Sequence, residues 1–152
     1  LEGNALIKAR HIWERYGLYC FADDTGLEVE ALDGAPGVYS ARFAGEHATF
    51  EENVALLLER LQGVPAPRRA CFRTVIALID EYGTHFFEGA VNGEITLERS
   101  GDHGFGYDPV FRPEGCQQTF AELSSEEKNA MSHRGRAVQR LARYLHALPL
   151  DE

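Results

Sequence analysis

The chain has 152 residues, 44% of them apolar and 26% charged, which is the make-up of one globular domain rather than two. No apolar run approaches the ~20 residues a membrane-spanning helix needs, and no basic-then-apolar leader is read at its start, so membrane and secreted classes are not expected. Lys plus Arg is 15 and Asp plus Glu is 24, a formal net charge of −9, which disfavours nucleic acid as a partner and requires any small anionic ligand to meet a local cluster of cations or a metal ion.

Residues 3–16 read as a helix. Asn4, Lys8, His11 and Arg15 form a polar stripe beside Ala5, Ala9, Ile12 and Tyr16, with Leu6 and Trp13 widening the apolar face and Gly17 as the stop. Leu18 to Ala22 reads as a buried strand, interrupted by Asp23-Asp24-Thr25-Gly26. Leu27, Val29 and Ala31 then alternate with Glu28 and Glu30 in a second strand. Asp33-Gly34 signals a turn that Ala35-Pro36-Gly37 extends, and Val38 to Phe43 leads towards the next helix.

Thr49 and Glu52 make a capping box for a helix over 50–62, whose apolar face is Phe50, Val54, Leu57, Leu58 and Leu61 and whose stop is Gly63. Two β-type runs, 70–80 and 84–91, surround Glu81-Tyr82-Gly83 as a hairpin, and Asn92-Gly93 reads as a turn before a short strand at 94–98. Residues 100–109 are too glycine-rich for an element interior, and Tyr107 to Phe111 reads as a short strand leaving that loop. Ser124 and Glu127 make a second capping box for a short helix to about Met131, broken by Ser132-His133-Arg134-Gly135. A last helix is expected to bury Val138, Leu141, Ala142 and Leu145. The mixture predicts an α/β or α+β fold around a central mixed sheet.

Cys20, Cys71 and Cys116 are odd in number, far apart and without a CxxC, a pattern of buried structural thiols in a reducing compartment rather than of disulfides or zinc. None of the 6 histidines has metal-ligand spacing. Asp23 and Asp24 are the sharpest feature. Adjacent carboxylates on an extended chain point different ways, so one could face a pocket while the other anchors the backbone. Their hard oxygens suit Mg²⁺, although all four residues of Asp23-Asp24-Thr25-Gly26 also form turns. In Gly101 to Pro109, glycines let a backbone approach phosphate or a flat ring, and Phe105 and Tyr107 offer aromatic faces for a base. A plain surface loop with core aromatics fits the same residues. Lys128, Ser132, His133, Arg134 and Arg136 gather cations and two helix starts, which attract anions, or make a solvated charged face.

In order, Asn4-Ala5-Leu6-Ile7-Lys8-Ala9-Arg10, FADDTGLEVEAL (Phe21–Leu32), GAPGVYSARFAG (Gly34–Gly45), GFGYDPVF (Gly104–Phe111) and EEKNAMSHRGRA (Glu126–Ala137) closely resemble the inosine/xanthosine triphosphate pyrophosphatase family, from about residue 3 to residue 145. The resemblance implies helical lobes around a central sheet, a nucleotide cleft between them, a cytoplasmic homodimer, and a Mg²⁺-dependent hydrolase turning a nonstandard purine nucleoside triphosphate into the monophosphate plus pyrophosphate. Asp24 matches the family's general base and metal-linked acid, and Asp23 could be a second metal-linked acid. Thr25 matches the substrate-contacting hydroxyl, and Lys8 and Lys128 the phosphate-binding lysines. Phe105, Gly106, Tyr107 and Asp108 match the base-binding loop. His133 and Arg134 match the pair that reads the purine 6-keto edge. The family opens with a strand, a Thr/Ser-Gly-Asn-x-x-Lys phosphate loop and a helix, none of which is in residues 1–152, so the single domain is expected to be N-terminally incomplete. Two other readings stay open: a non-catalytic nucleotide-binding or dimerisation fragment, and a related pyrophosphatase acting on modified pyrimidine nucleotides.

Overall fold

A computed structural model describes residues 1–16, 20–80 and 82–147. Helix α1 spans Glu2–Tyr16 and strand β1 Cys20–Val29. The two-residue strand β2 is Pro36–Gly37, and helix α2 is Phe50–Arg60. A long hairpin follows, β3 at Arg69–Asp80 and β4 at Gly83–Ile95. Strand β5 is Phe111–Pro113, helix α3 Ser125–Met131 and helix α4 His133–Ala147. The sheet order is β2-β1-β3-β4-β5. The helix-flanked sheet holds as expected, but every described strand pair is antiparallel rather than mixed.

Strand β3 is central because it is the most continuously apolar segment, from Val75 to Ile79, and can be buried on both faces. On one face, Val75, Ala77 and Ile79 pack against Ala5 and Ala9 of α1. Alanines one helical turn apart let this helix lie close to the sheet. On the other face, Ile76 and Leu78 meet Ala137 and Leu141 of α4. Further along that face lies the main core, where Leu27, Phe72 and Val91 of the sheet join Val54, Leu57 and Leu61 of α2 and the aromatic pair Phe111 and Phe120. Both capping boxes form as expected, at Thr49–Glu52 and Ser124–Glu127.

Several expectations are corrected. Asp23-Asp24-Thr25-Gly26 is no turn: β1 runs unbroken through it, pairing Asp23↔Ile76, Asp24↔Val75, Thr25↔Thr74 and Gly26↔Arg73. Pairing along all of β3 outweighs the weak strand propensity of Asp and Gly. Gly26 serves close packing instead, since a Cβ there would lie 2.5 Å from the Gly37 carbonyl oxygen. The second strand ends at Val29, and Ala31 falls in a 3-10 turn. Asn92-Gly93 also lies inside a strand, where a Cβ on Gly93 would come within 2.4 Å of the Arg112 carbonyl. Residues Asp108–Val110 form a 3-10 turn, so the strand expected from Tyr107 starts only at Phe111.

Phe50 is 52% exposed, as are Val138 (49%) and Leu145 (48%), because α2 and α4 each present a narrower stripe to the sheet than their apolar content suggests. Cys71 and Cys116 are half-buried free thiols rather than fully buried ones. Gly17 as a helix stop, Leu18-Tyr19 as the start of the strand and Glu81 of the hairpin turn lie outside the described residues, as do the side chains of Ile12, Trp13, Tyr16 and Cys20.

Candidate active site

Alternation along β1 divides its acids between the two faces of the sheet. Asp24 pairs with Val75, so it faces α1; Asp23 and Thr25 flank it and face α4. From α1, one turn apart, Asn4 and Lys8 both reach Asp24. Asn4 Nδ2 donates to Oδ2 at 3.2 Å, and Lys8 Nζ stands 3.4 Å from Oδ1. Lys8 also donates to the Asp23 carbonyl at 2.9 Å. Asp24 is thus held at both carboxylate oxygens while its side chain stays 17% exposed.

On the opposite face, Arg134 of α4 engages the same three-residue segment. One guanidinium nitrogen is 2.7 Å from Asp23 Oδ2, and the other donates to Thr25 Oγ1 at 3.2 Å. Thr25 Oγ1 in turn lies 2.8 Å from Thr74 Oγ1 of β3. Helix α4 can approach this closely because β4 carries Gly89, where a Cβ would lie 2.0 Å from the His133 carbonyl. The helix therefore starts directly over the sheet, with His133 and Arg134 at its first positions.

His133 is buried and stacked on Phe72, with ring centroids 4.7 Å apart and planes at 12°. Phe120 completes a cluster of three rings, its centroid 6.3 Å from His133 and 6.0 Å from Phe72. Burial, reinforced by the charges of Lys128 and Arg134, pushes its pKa down to about 4, so the imidazole is neutral near pH 7. Its Nδ1 is buried without a hydrogen-bond partner among the described residues. A neutral ring carries one donor nitrogen and one acceptor nitrogen.

Lys128 is locked between the aromatics. Its Nζ is 2.5 Å from Asp108 Oδ2, 4.6 Å from the Phe105 ring centroid and 5.8 Å from that of Phe120. Asp108 also accepts from the Phe105 N–H at 3.0 Å, which folds the glycine-rich loop back on itself. Gly104, at φ 74°, fits this fold because a Cβ would strike Asp108 Oδ2 at 2.2 Å. Phe105 is left 61% exposed, next to Phe50 at 6.2 Å. Gly106 follows at φ 61°.

The Ham1 family model matches residues 1–144. The chain belongs to the Ham1 family. It is 62% identical over 145 residues to a dITP/XTP pyrophosphatase of Porphyromonas gingivalis, covering 95% of this chain and 75% of that protein. It is 51% identical over 147 residues to a dITP/XTP pyrophosphatase of Flavobacterium johnsoniae, covering 97% of this chain and 76% of that one. Among solved structures it superposes on a HAM1 protein from Coxiella burnetii with a TM-score of 0.92 at 44% identity, covering 97% of this chain and 77% of the other.

In this Ham1-family chain the residues singled out from sequence fall into two adjoining groups. Lys8, Asp23, Asp24, Thr25 and Arg134 meet directly, while Phe105, Asp108, Lys128 and His133 gather around Phe120, with Gly106 beside Phe105 in the loop. Asp23 spends its carboxylate on Arg134, on the face away from Asp24, so the two acids do not form a paired set. Tyr107 is 5% exposed and its hydroxyl donates to the Ser40 carbonyl at 2.6 Å, tying this loop to the one that follows β2. Burial also pushes its phenol pKa up.

Asn4, Thr74, Phe72 and Phe120 were not marked from the sequence. Asn4 had a signal, since it sits one turn before Lys8 on the polar stripe. Thr74 had a faint one, as the lone hydroxyl beside the apolar run of β3. Phe72 and Phe120 had no signal of their own and lie in the main core. A cavity of about 800 Å³ between Glu28, Arg69, Cys71, Asn92, Arg112 and Cys116 holds none of the site residues. Among the described residues no group of three or more His, Cys, Asp or Glu is arranged to hold a metal ion. No described helix is long and apolar enough to cross a membrane.

Proposed function

We propose that this chain hydrolyses nonstandard purine nucleoside triphosphates, those of inosine, deoxyinosine and xanthosine, to the monophosphate and pyrophosphate. The observation that carries the reading is the double engagement of Asp23–Thr25, by Lys8 from one face and Arg134 from the other. One strand thereby places a carboxylate between a cation suited to phosphate and a helix start suited to a base. The names of the relatives supply the substrate class.

Lys8 and Lys128 draw the triphosphate into a chain whose formal charge is −9. Asp24 orients a water and accepts its proton as the oxygen attacks the α-phosphorus, and pyrophosphate departs in line. Thr25 donates to a phosphate oxygen. The donor set fits a hard divalent cation held by few protein ligands, because Mg²⁺ is usually bound by one or two carboxylates plus substrate phosphates. Asp24 would hold it, and when bound it supplies neutralisation of phosphate charge. The neutral His133 and the Arg134 guanidinium read the 6-keto oxygen. Adenine has an amino group there, which leaves a donor aimed at the keto oxygen without its acceptor. Phe105 covers the base, and Gly106 lets the loop backbone close on it. The enzyme works in the cytoplasm, where its free thiols persist, as a homodimer.

The test is pyrophosphate release from inosine, xanthosine, adenosine and deoxyuridine triphosphates, with Mg²⁺ and with chelator. Expected is a kcat/KM for inosine triphosphate at least about a hundredfold above that for adenosine triphosphate, with Arg134→Ala narrowing the gap and chelator abolishing turnover. Equal rates on all four nucleotides would defeat the purine-keto reading, and a deoxyuridine preference would move the chain to the modified-pyrimidine class.

A further inference from the structure

We infer that Thr74 of β3 is a positioning residue that fixes the proton of Thr25 towards the substrate. Thr74 is 0% exposed, and Thr25 is its side-chain hydrogen-bond partner at 2.8 Å among the described residues. The inference rests on the reading of Thr25 as a phosphate-contacting hydroxyl.

A hydroxyl has one proton to give and two lone pairs to fill. Thr25 Oγ1 already accepts one hydrogen bond, from Arg134 at 3.2 Å. Two arrangements remain for the threonine pair. If Thr25 donated to Thr74, the proton of Thr74 would be left at a site sealed from water with no described acceptor, and an unmet buried donor is costly. If Thr74 donates to Thr25, its own proton is satisfied and the second lone pair of Thr25 is filled. The Thr25 oxygen then accepts twice, and by tetrahedral geometry its proton points away from both donors. Neither Thr74 nor Arg134 touches that proton. It is free for an anionic oxygen.

The register makes this arrangement specific. Thr25 and Thr74 are directly opposite in the β1–β3 ladder, on the α4 face, where cross-strand side chains come close enough for a hydroxyl pair. Arg134 cannot set the proton's direction alone, because with one lone pair open the hydroxyl still rotates. Two fixed donors leave it one orientation, so less freedom is lost when the phosphate arrives.

The test compares Thr74→Val, which keeps the shape and removes the hydroxyl, with Thr74→Ser, which keeps the hydroxyl, both against inosine triphosphate. Expected is a rise in KM of about fivefold for T74V with kcat within twofold, and recovery to within twofold of wild type in T74S. The double variant Thr25→Val/Thr74→Val should be no worse than Thr25→Val alone, because the donor then has nothing to orient. Unchanged kcat/KM in T74V, equal losses in T74V and T74S, or a double-variant loss equal to the product of the single losses would each overturn the inference. Wild-type protein that binds inosine triphosphate without hydrolysing it leaves the test intact, with Kd from calorimetry read in place of KM. Protein that neither binds nor hydrolyses it sinks the proposed function and the inference together, whereas an active wild type with an unaffected T74V sinks the inference alone.

Discussion

Two lysine–aspartate pairs flank the site, one on each side of the sheet. Lys8 and Asp24 stand 3.4 Å apart with side chains 55% and 17% exposed. Lys128 and Asp108 stand 2.5 Å apart with side chains 15% and 4% exposed. The first pair is loose and wet, so its net attraction is small and either partner can turn to a ligand. The second is dry, short and braced by the Phe105 N–H and by two aromatic rings. Removing one partner there strands a buried charge. The same two residue types thus do different work. On the proposed reading Asp24 and Lys8 stay available for chemistry, while Asp108 holds Lys128 in place, so that this lysine shapes the loop that carries Phe105 as well as presenting its charge to the phosphates.

The largest effect is expected at the loose pair. Asp24→Asn keeps the size of the side chain and its hydrogen bond with Lys8 or Asn4 in altered form, but cannot take a proton. Turnover should fall about a thousandfold, with thermal stability close to wild type because an exposed ion pair contributes little. Activity within tenfold of wild type would remove Asp24 from its assigned role. The second effect is expected at the tight pair and should appear in stability. Lys128→Met leaves Asp108 buried with only the loop N–H to satisfy it, at a cost of about 3 kcal/mol, read as a lowered urea midpoint. A loss below about 0.5 kcal/mol would show that Asp108 is not committed to Lys128, and the contrast between the pairs would fail.

The elements that sequence alone revealed are those with local signals. Thr49 and Ser124 announce their helices through capping boxes that need only residues three positions apart. The hairpin of β3 and β4 declares itself through two apolar runs around a glycine. What stayed hidden depends on partners distant in the chain. Asp23-Asp24-Thr25-Gly26 reads as a turn because every residue in it favours turns, and only the pairing with β3, about fifty residues later, makes it a strand. The difference matters for the site, since a turn would have let both carboxylates face one ion, whereas the strand sends Asp23 to Arg134 and Asp24 to Asn4 and Lys8. Tyr107 is similar: its aromatic ring suits a base-stacking role, and only its contact with Ser40 shows it as a buried strut. The residues that meet were legible as a family pattern, but which of them hold each other is visible only in their contacts and burial.

The smallest effect completes the contrast between the lysines. Lys8→Met should leave the urea midpoint unchanged, because the side chain is more than half exposed and its carboxylate partner keeps Asn4 and solvent. It should instead raise KM for inosine triphosphate about tenfold, the loss expected for one charge-assisted hydrogen bond to phosphate. Ionic strength sharpens the point. If Lys8 acts as a solvated charge that draws phosphate, the wild-type advantage over Lys8→Met should shrink as salt rises, since screening shortens the reach of exposed charges. If Lys8 were a structural partner of Asp24, the variant would lose kcat by misplacing the acid, and salt would change little. A fall in kcat with KM intact would therefore reassign Lys8 from the substrate to Asp24, and the loose pair would prove to be a second tight one.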